Sequence, residues 1–336
     1  MMNMTNWFSE MIASPTKKAI PVLSFPAIQL LDISVVDLIS DSKKQAVGMK
    51  LISEKVNSAA ALSMMDLSVE AESFGSKIKF CDDEVPTVIG KIISTFEEAE
   101  ALKIPDVGSG RTGVYIEAIR LAAQSINDKP VFGGVIGPFS LAGRLMDVSE
   151  AMIYCYEDPD MVHIVLEKVT DFLIEYSKAY KAAGANGIVM AEPLAGLLSP
   201  GLVEEFSSSY VKKIVNAVQD ENFAIVYHNC GNATIPSINS ILGTNATAFH
   251  FGDAIDMRDM MKYIPENIVA MGNISPSQQF KNGTVESITT ETLSLLKDCA
   301  KYPNFIISSG CDIPPLTSWD NIQAFFDAVD DYYKNI

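Results

Sequence analysis

Two short segments far apart in the chain carry side chains that could bind a metal. YHNCG holds His228 and Cys230 at the end of one apolar run, and ISSGCD holds Cys311 at the end of another. One imidazole and two thiolates are a good zinc ligand set, and three protein ligands leave a coordination position free for substrate or water. A closed structural site is more typical of four ligands in two tight pairs, and no CxxC is present. These residue types predict a zinc enzyme whose metal binds something that reacts.

The alternative interpretation is that these residues are ordinary parts of a core. Free cysteine is among the most buried residue types, and a histidine often lies in a core with its nitrogens satisfied, so an H-x-C pair alone is weak evidence. However, FAIVYHNC and NFIISSGC are both β-type runs that end in small and polar residues. Parallel α/β folds place their active sites where strands end and loops begin. Residue type and position together favour ligands.

Charge and cysteine content limit the possible partners and the compartment. With 25 basic and 42 acidic residues the formal net charge is −17, which argues against nucleic acid or an anionic membrane as a main partner. The five cysteines are odd in number and widely spaced, unlike a disulfide framework, and this suits a reducing compartment. No signal-peptide pattern and no apolar run of membrane-spanning length are found. We expect a soluble cytoplasmic protein with a small-molecule substrate.

Short β-type runs alternate with helical patterns along most of the chain. Eight strands are predicted, at residues 21–25, 67–69, 131–136, 187–190, 223–227, 246–250, 268–272 and 305–308. Helices are predicted at residues 43–64, 113–125, 141–154, 159–183, 202–219, 285–299 and 319–333. Such alternation requires parallel strands with helical crossovers, and eight of them in 336 residues predict an α/β fold, a single (β/α)8 TIM barrel.

We expect residues 1–336 to form one barrel domain with two additions. Residues 1–19 are predicted to be an N-terminal extension. Residues 70–112 are less regular, and SFGSKIKFCDDEVPTV in this region is typical of a hairpin or an extended loop. We interpret residues 70–112 as an insertion over the mouth of the barrel, because no repeat or linker separates them from the rest.

The order of several motifs resembles a known family. The segments are GVIGPFSLAGRL, GANGIVMAEPLAG, YHNCGN, MGNISP and SSGCDIPP. They are similar to the uroporphyrinogen decarboxylase superfamily, from about residue 20 to the end. The H-x-C followed by a distant G-C most resembles its zinc branch, the methylcobamide:thiol methyltransferases and related corrinoid-dependent methyltransferases. The resemblance implies a zinc ion held by His228, Cys230 and Cys311.

The resemblance also suggests roles for carboxylates near the mouth. Asp253, in AFHFGDAID, is a possible fourth zinc ligand, and Glu192, in MAEPLAG, is a possible ligand or hydrogen-bond partner of the substrate. Asp66 is similar to the superfamily's aspartate at the end of an early strand, although a solvated strand-end carboxylate or a helix cap would look the same. Asp312 adjoins Cys311 and could orient a ligand. Glu192 and Asp66 are therefore predicted as catalytic residues.

The chain departs from the decarboxylases at the residues that bind their substrate. Where they carry an arginine-rich motif for the porphyrinogen carboxylates, this chain has PVLSFPAIQLL, with no arginine near it. Arginine is the side chain suited to pairing several carboxylates. Arg144 stands where the decarboxylases have a tyrosine. These departures favour methyl transfer, and decarboxylation is kept as the alternative activity. A second alternative is that the chain is a non-catalytic zinc-binding protein.

The resemblance implies methyl transfer in either of two directions. A substrate thiol, bound to zinc as a thiolate, could attack the methyl group of a methylcobalt corrinoid. Alternatively, a methyl ether or similar donor bound to zinc could give its methyl group to Co(I). No D-x-H-x-x-G cobalamin motif occurs in the chain, so a partner corrinoid protein is expected to present the methylcobalamin-type cofactor.

Overall fold

In the computed structural model, which describes residues 2–334, seven parallel strands form one curled sheet in the order β1-β4-β5-β6-β7-β8-β9. A separate antiparallel hairpin is formed by β2 and β3. The strands are β1 Ala61–Leu62, β2 Lys77–Lys79, β3 Thr87–Ile89, β4 Val131–Ile136, β5 Gly187–Ala191, β6 Ala224–Asn229, β7 Ala248–Phe251, β8 Val269–Ile274 and β9 Phe305–Ser309. The sheet strands are almost entirely buried, as parallel strands covered by helices must be.

An extended N-terminal segment, residues 19–22, closes the circle between β9 and β1. The Ile20 N–H donates to the carbonyl of Ile307 in β9 at 3.1 Å. On the other side, the Ala59 N–H donates to the carbonyl of Ala19 at 3.0 Å. Pro21 has no N–H and interrupts the ladder, so this eighth segment is not a regular strand. The prediction of a (β/α)8 barrel is confirmed.

The helices surround the barrel, and neighbours pack on one another, for example α4 on α7, α10 on α12 and α15 on α16. They are α1 Met4–Ala13, α2 Ala27–Leu31, α3 Val35–Ser40, α4 Ser42–Lys55, α5 Val69–Ser73, α6 Phe96–Ala101, α7 Thr112–Ser125, α8 Pro138–Met146, α9 Val148–Glu157, α10 Pro159–Ala182, α11 Pro200–Val203, α12 Ser209–Val218, α13 Ile238–Leu242, α14 Met257–Met260, α15 Val285–Cys299 and α16 Trp319–Lys334. A 3-10 helix at Pro193–Leu197 and π-helical turns at Glu204–Ser208 and Pro276–Lys281 complete the set. No helix within residues 2–334 combines the length and the apolar character needed to cross a membrane.

Three predicted elements differ from the structure. The strand expected at residues 67–69 lies earlier, at β1, and the helix expected at residues 43–64 ends at Lys55. The segment NSAAALSMM is rich in good helix formers, but its backbone is needed to pair with β4, and this tertiary pairing overrides local propensity. The helix expected at residues 141–154 is two helices, because Asp147 adopts a positive φ of 75° between α8 and α9.

Helix α1 covers the N-terminal end of the barrel. Phe8 is 5% exposed and packs in one cluster with inward-facing strand residues such as Val226 and Met271. Trp7 lies against Phe132, with ring centroids 6.3 Å apart. The remaining cavity between α1 and the strands is only about 10 Å³. Side chains of α1 therefore fill the N-terminal end of the barrel, and we expect small molecules to enter from the C-terminal end.

The region between residues 70 and 112 contains most of α5, the β2–β3 hairpin and α6. It is held against the outer helices: the Lys168 ammonium on α10 donates to the carbonyls of Ala99, Glu100 and Leu102 at 2.6–2.9 Å. The Ile92 N–H donates to a carbonyl of α8 at 2.8 Å. These contacts tie the region to the barrel.

Candidate metal site and active site

The loops after β6, β7 and β9 pack directly on one another at the C-terminal end of the barrel. A Cβ on Gly252 would lie 2.4 Å from the Cβ of Cys230, and a Cβ on Gly310 would lie 2.6 Å from the Cβ of Asp253. Atoms cannot approach so closely, so only glycine fits at positions 252 and 310. The Asn273 amide adds a hydrogen bond of 2.8 Å to the Gly252 carbonyl. These contacts bring three of the predicted ligand loops together.

His228 lies in β6 and is 3% exposed. Its Nδ1 is 2.7 Å from Nδ1 of His250, the residue level with it in β7. Its Nε2 is buried and has no hydrogen-bond partner among the described residues. Burial lowers the pKa of His228 to about 4, so the ring is neutral near neutral pH. A buried polar atom without a partner is unusual in a folded protein, and a neutral imidazole nitrogen is a common metal ligand.

The two predicted thiol ligands lie in a setting that resists their ionisation. Burial raises the pKa of Cys230 to about 11, and the nearby carboxylates of Asp253 and Glu192 add to the shift. Desolvation also raises the pKa of Cys311, with further contributions from Asp312 and Cys230, although Cys311 keeps exposed surface at the mouth. Both thiols would therefore lose their protons readily only beside a positive charge.

The predicted ligands are grouped but do not converge on one point. Within residues 2–334, no three His, Cys, Asp or Glu side chains are placed so that together they could hold a metal ion. The donor set nevertheless fits zinc in its chemistry, because it offers an unpartnered imidazole nitrogen in His228 and the two thiols of Cys230 and Cys311 in adjoining loops. Asp253 is exposed beside them and lines a polar cavity of about 450 Å³.

Glu192 lies next to this group, but its carboxylate faces another element. Its backbone N–H donates to the His228 carbonyl at 3.0 Å. Its carboxylate accepts the N–H groups of Phe139 and Ser140, at 3.0 and 2.6 Å, at the start of α8. Burial raises the pKa of Glu192 to about 7, and these hydrogen bonds oppose the shift. The structure therefore places the Glu192 carboxyl group as the acceptor of free N–H groups at a helix N-terminus, and its catalytic role stays a prediction.

Asp66 is buried after β1 and has its lone pairs occupied. One oxygen accepts from the N–H and the hydroxyl of Ser68, at 3.0 and 2.6 Å. The other accepts from Tyr115 at 2.9 Å and from the Arg111 guanidinium. Arg111 also pairs with Glu72 at 2.6 Å. This arrangement suits a residue that holds neighbouring side chains in place at the mouth of the barrel. A role of Asp66 as a proton acceptor stays a prediction.

Asp312 and Glu70 are buried carboxyl groups that face the same side of the barrel as Asp66. Burial raises the pKa of Asp312 well above its ordinary range, and Asp66 adds to the shift. Burial raises the pKa of Glu70 to about 8; one of its oxygens accepts the Ile136 N–H at 3.0 Å, and the other has no partner among the described residues.

Sequence reasoning assigned no role to His250, Ser308 or Arg111. His250 Nε2 lies 2.7 Å from the Ser308 hydroxyl, which donates to the Ile20 carbonyl at 2.7 Å. The position of His250 at the end of a β-type run, like that of His228, was a usable signal. Ser308 and Arg111 gave none, because their importance depends on which strands and loops become neighbours.

Comparison with known proteins agrees with this architecture. The family described as uroporphyrinogen decarboxylase (URO-D) matches residues 26–332. The methylcobamide:CoM methyltransferase MtbA of Methanosarcina acetivorans is 30% identical over 276 residues, which cover 80% of this chain and 78% of the relative. The uroporphyrinogen decarboxylase of Christiangramia forsetii is 25% identical over 283 residues, covering 81% of this chain and 80% of the relative.

Among solved structures, a methyltransferase from Methanosarcina mazei superposes with a TM-score of 0.86. It is 24% identical in sequence, and the superposition covers 97% of this chain and 98% of the other. This likeness extends the agreement to the whole three-dimensional fold.

Proposed function

The chain belongs to the uroporphyrinogen decarboxylase family, and from this premise we propose that it is a zinc-dependent methyltransferase. It would move a methyl group between a corrinoid, presented by a partner protein, and a small substrate bound at zinc. The observation that carries this proposal is the buried Nε2 of His228, which has no partner in the described residues and lies in the group that includes Cys230 and Cys311.

His228, Cys230 and Cys311 would hold the metal, and Asp253 would be an exchangeable fourth ligand. Bound zinc would act as a Lewis acid. It would either lower the pKa of a substrate thiol or polarise the oxygen of a methyl ether. The two cysteine thiolates bring negative charge, which favours a soft sulfur substrate over an oxygen donor. Asp253 is exposed at the mouth, where its carboxylate can leave when substrate arrives. The substrate is thus a thiol acceptor or a methyl ether donor.

A partner protein is proposed as the carrier of the corrinoid. None of the three histidines of the chain stands in a D-x-H-x-x-G motif, which would bind the cobalt from within the chain. Helix α1 fills the opposite end of the barrel, so the carrier would meet this chain at the C-terminal mouth. The five cysteines are free, and we place the protein in the cytoplasm, where thiols stay reduced.

The distribution of arginine speaks against the decarboxylase alternative. The chain has four arginines, at positions 111, 120, 144 and 258, and none precedes residue 111. Arg111, Arg120 and Arg258 pair with carboxylates of the chain itself. Arg144 forms no ion pair within the part of the chain described, and a single guanidinium cannot neutralise a substrate with several carboxylates. We therefore favour a substrate of low charge.

Methyl transfer can be tested directly by cobalt absorbance. Zinc-loaded protein is mixed with methylcobalamin or with Co(I) cobalamin and a panel of thiols and methyl ethers. We expect a zinc-dependent spectral change with one substrate class, which reveals the direction of transfer. His228→Ala should abolish it, whereas His163→Ala, on the outer helix α10, should leave it intact. Stoichiometric zinc without methyl transfer to or from any substrate would favour a non-catalytic zinc-binding protein.

A further inference from the structure

A chain of hydrogen bonds links His228 to the segment that closes the barrel. Nδ1 of His228 lies 2.7 Å from Nδ1 of His250. Nε2 of His250 lies 2.7 Å from Oγ of Ser308, and this hydroxyl lies 2.7 Å from the carbonyl oxygen of Ile20. All three side chains are buried, at 3%, 1% and 0% exposure, so no solvent competes for these bonds.

The positions of the protons in this chain follow from the hydrogen-bonding capacity of each group. A carbonyl oxygen can only accept, so the single proton of the Ser308 hydroxyl points to Ile20. The Ser308 oxygen must then accept from His250, which places a proton on Nε2 of His250. A neutral His250 consequently has a lone pair on Nδ1, and the proton between the two rings belongs to Nδ1 of His228.

The other protonation states of His228 are disfavoured by the same contacts. A proton on Nε2 in place of Nδ1 would leave two lone pairs facing each other across 2.7 Å. It would also bury an N–H that has no acceptor among the described residues. A doubly protonated ring would bury a charge as well as that unpaired donor, which is costlier still.

We propose that His250 and Ser308 are positioning residues that hold His228 in its Nδ1–H form and keep the Nε2 lone pair directed to the metal position. Histidines that bind metals usually donate their second N–H to a carboxylate, a carbonyl or water, which fixes the ring. Here the acceptor is a second imidazole, which is held by the Ser308 hydroxyl, and that hydroxyl donates to the carbonyl of Ile20 in the barrel-closing segment. The inference rests on the proposed function for the identity of the metal, but the protonation pattern is a property of the metal-free chain.

Nitrogen NMR of the imidazoles tests the pattern directly. The chain has three histidines, so uniformly 15N-labelled, metal-free, full-length protein should give three sets of ring signals. His163→Gln and His250→Gln assign them. We expect His228 to show a protonated Nδ1 and an unprotonated Nε2, and zinc addition to shift the Nε2 signal.

Two serines in β9 provide a matched pair of variants for the positioning role. The Ser308 hydroxyl bonds both His250 and Ile20, whereas the Ser309 hydroxyl accepts the Val22 N–H at 2.9 Å and makes no hydrogen bond to His228 or His250. Both variants, Ser308→Ala and Ser309→Ala, remove one buried β9 hydroxyl that bonds the barrel-closing segment. We expect zinc affinity, measured against a chromophoric chelator, to fall about 10- to 100-fold in Ser308→Ala only. Ser308→Thr keeps the hydroxyl and should restore the single His228 form.

Two results would overturn the inference. One is a parent protein in which His228 carries its proton on Nε2. The other is a Ser308→Ala variant whose ring signals and zinc affinity match those of Ser309→Ala. A parent with the expected ring signals that binds no zinc would support the hydrogen-bond assignment and overturn the proposed function instead, so the two failures are distinguishable.

Discussion

At the scale of single residues, Cys230 and Cys311 depend on a cation to become thiolates. Burial raises the pKa of Cys230 to about 11, and desolvation raises that of Cys311 as well. His228 has the opposite shift, to a pKa of about 4, and is already neutral near pH 7. Metal binding must therefore displace protons from the thiols and none from the imidazole.

Zinc affinity is accordingly expected to rise steeply with pH. Between about pH 6 and 8 both thiols are protonated in the metal-free chain, so each zinc bound should release two protons and its association constant should rise about 100-fold per pH unit. Proton release can be measured by calorimetry in buffers of different ionisation enthalpy. Cys230→Ala should release one proton or lose zinc altogether, and Cys155→Ala, buried in α9, should match the parent. Full zinc retention in the double variant lacking Cys230 and Cys311 would contradict the ligand assignment.

The sequence indicated the proposed metal ligands but not the groups that contact them. His228, Cys230 and Cys311 were proposed because these residue types stand at the ends of β-type runs. The partners of His228 lie 22 residues away in β7 and, through His250, a further 58 residues away in β9. These pairings depend on strand register, which local patterns do not contain.

At the scale of secondary structure, helix α8 is anchored by an acidic side chain from the next strand. Glu192 follows β5 and accepts two N–H groups at the first turn of α8. Gly137 makes this possible, because a Cβ there would lie 2.5 Å from the Glu192 carboxyl carbon. The carboxyl group thus accepts N–H groups at a helix terminus that have no partner within the helix.

The stability contributed at Glu192 should depend on pH. Its pKa is raised from 4.5 to about 7 by burial, so the folded state binds the proton more tightly than the unfolded state does. This contribution to the free energy of unfolding is fully present below about pH 4.5 and is lost as pH rises through 7. The total loss is about 3 kcal/mol. Glu192→Gln cannot ionise and should lack this loss. Urea unfolding across the pH range measures it, and a constant difference between parent and variant would refute the assignment.

Strand β1 shows why some elements escaped prediction. The segment around Ala61 and Leu62 has small residues and methionines instead of β-branched ones, so its local preference is helical. Its strand conformation comes from parallel pairing with β4 and from the contact with Ala19. The strands rich in valine and isoleucine, such as β6 and β9, were predicted close to their observed bounds because local preference and tertiary pairing agree there.

Helix α1 should stabilise the barrel through Phe8. Phe8→Ala removes a buried ring from the apolar cluster at the N-terminal end and should cost about 3–5 kcal/mol of unfolding free energy. Glu10→Ala, on the exposed side of the same helix, should change stability little. Thermal or urea unfolding compares the two. Zinc content should be the same in both variants, because the proposed metal position lies at the opposite end, and loss of zinc in Phe8→Ala alone would show that the two ends are coupled.

At the scale of the whole molecule, we propose that residues 1–336 act as one barrel domain. In this proposal residues 1–19 are the N-terminal extension that fills the barrel from below, and residues 70–112 are an insertion near the mouth. The ion pair of Arg111 with Asp66 joins the end of that insertion to the end of β1. A net charge of −17 is spread over this single body.

This charge balance should exclude a porphyrinogen with several carboxylates as a substrate. The field of the protein repels such an anion unless local arginines converge, and residues 1–110 contain none. We expect no measurable decarboxylation of uroporphyrinogen, with zinc present or removed, when product is followed by chromatography. An authentic uroporphyrinogen decarboxylase serves as the positive control. Turnover by the metal-free chain would reverse the functional assignment.

The filled lower end of the barrel also constrains the order of events during turnover. With α1 in place and only about 10 Å³ left above it, the N-terminal end of the barrel, as formed by residues 2–334, has no room to admit a small molecule, so the expected route is the mouth at which a carrier protein would sit. A seated carrier, as proposed, would block the passage of small molecules through the mouth. The small substrate would then have to enter before the carrier binds, and its product would leave only after the carrier dissociates. Binding would therefore be ordered, and a large excess of carrier should slow turnover by blocking the exchange of substrate and product.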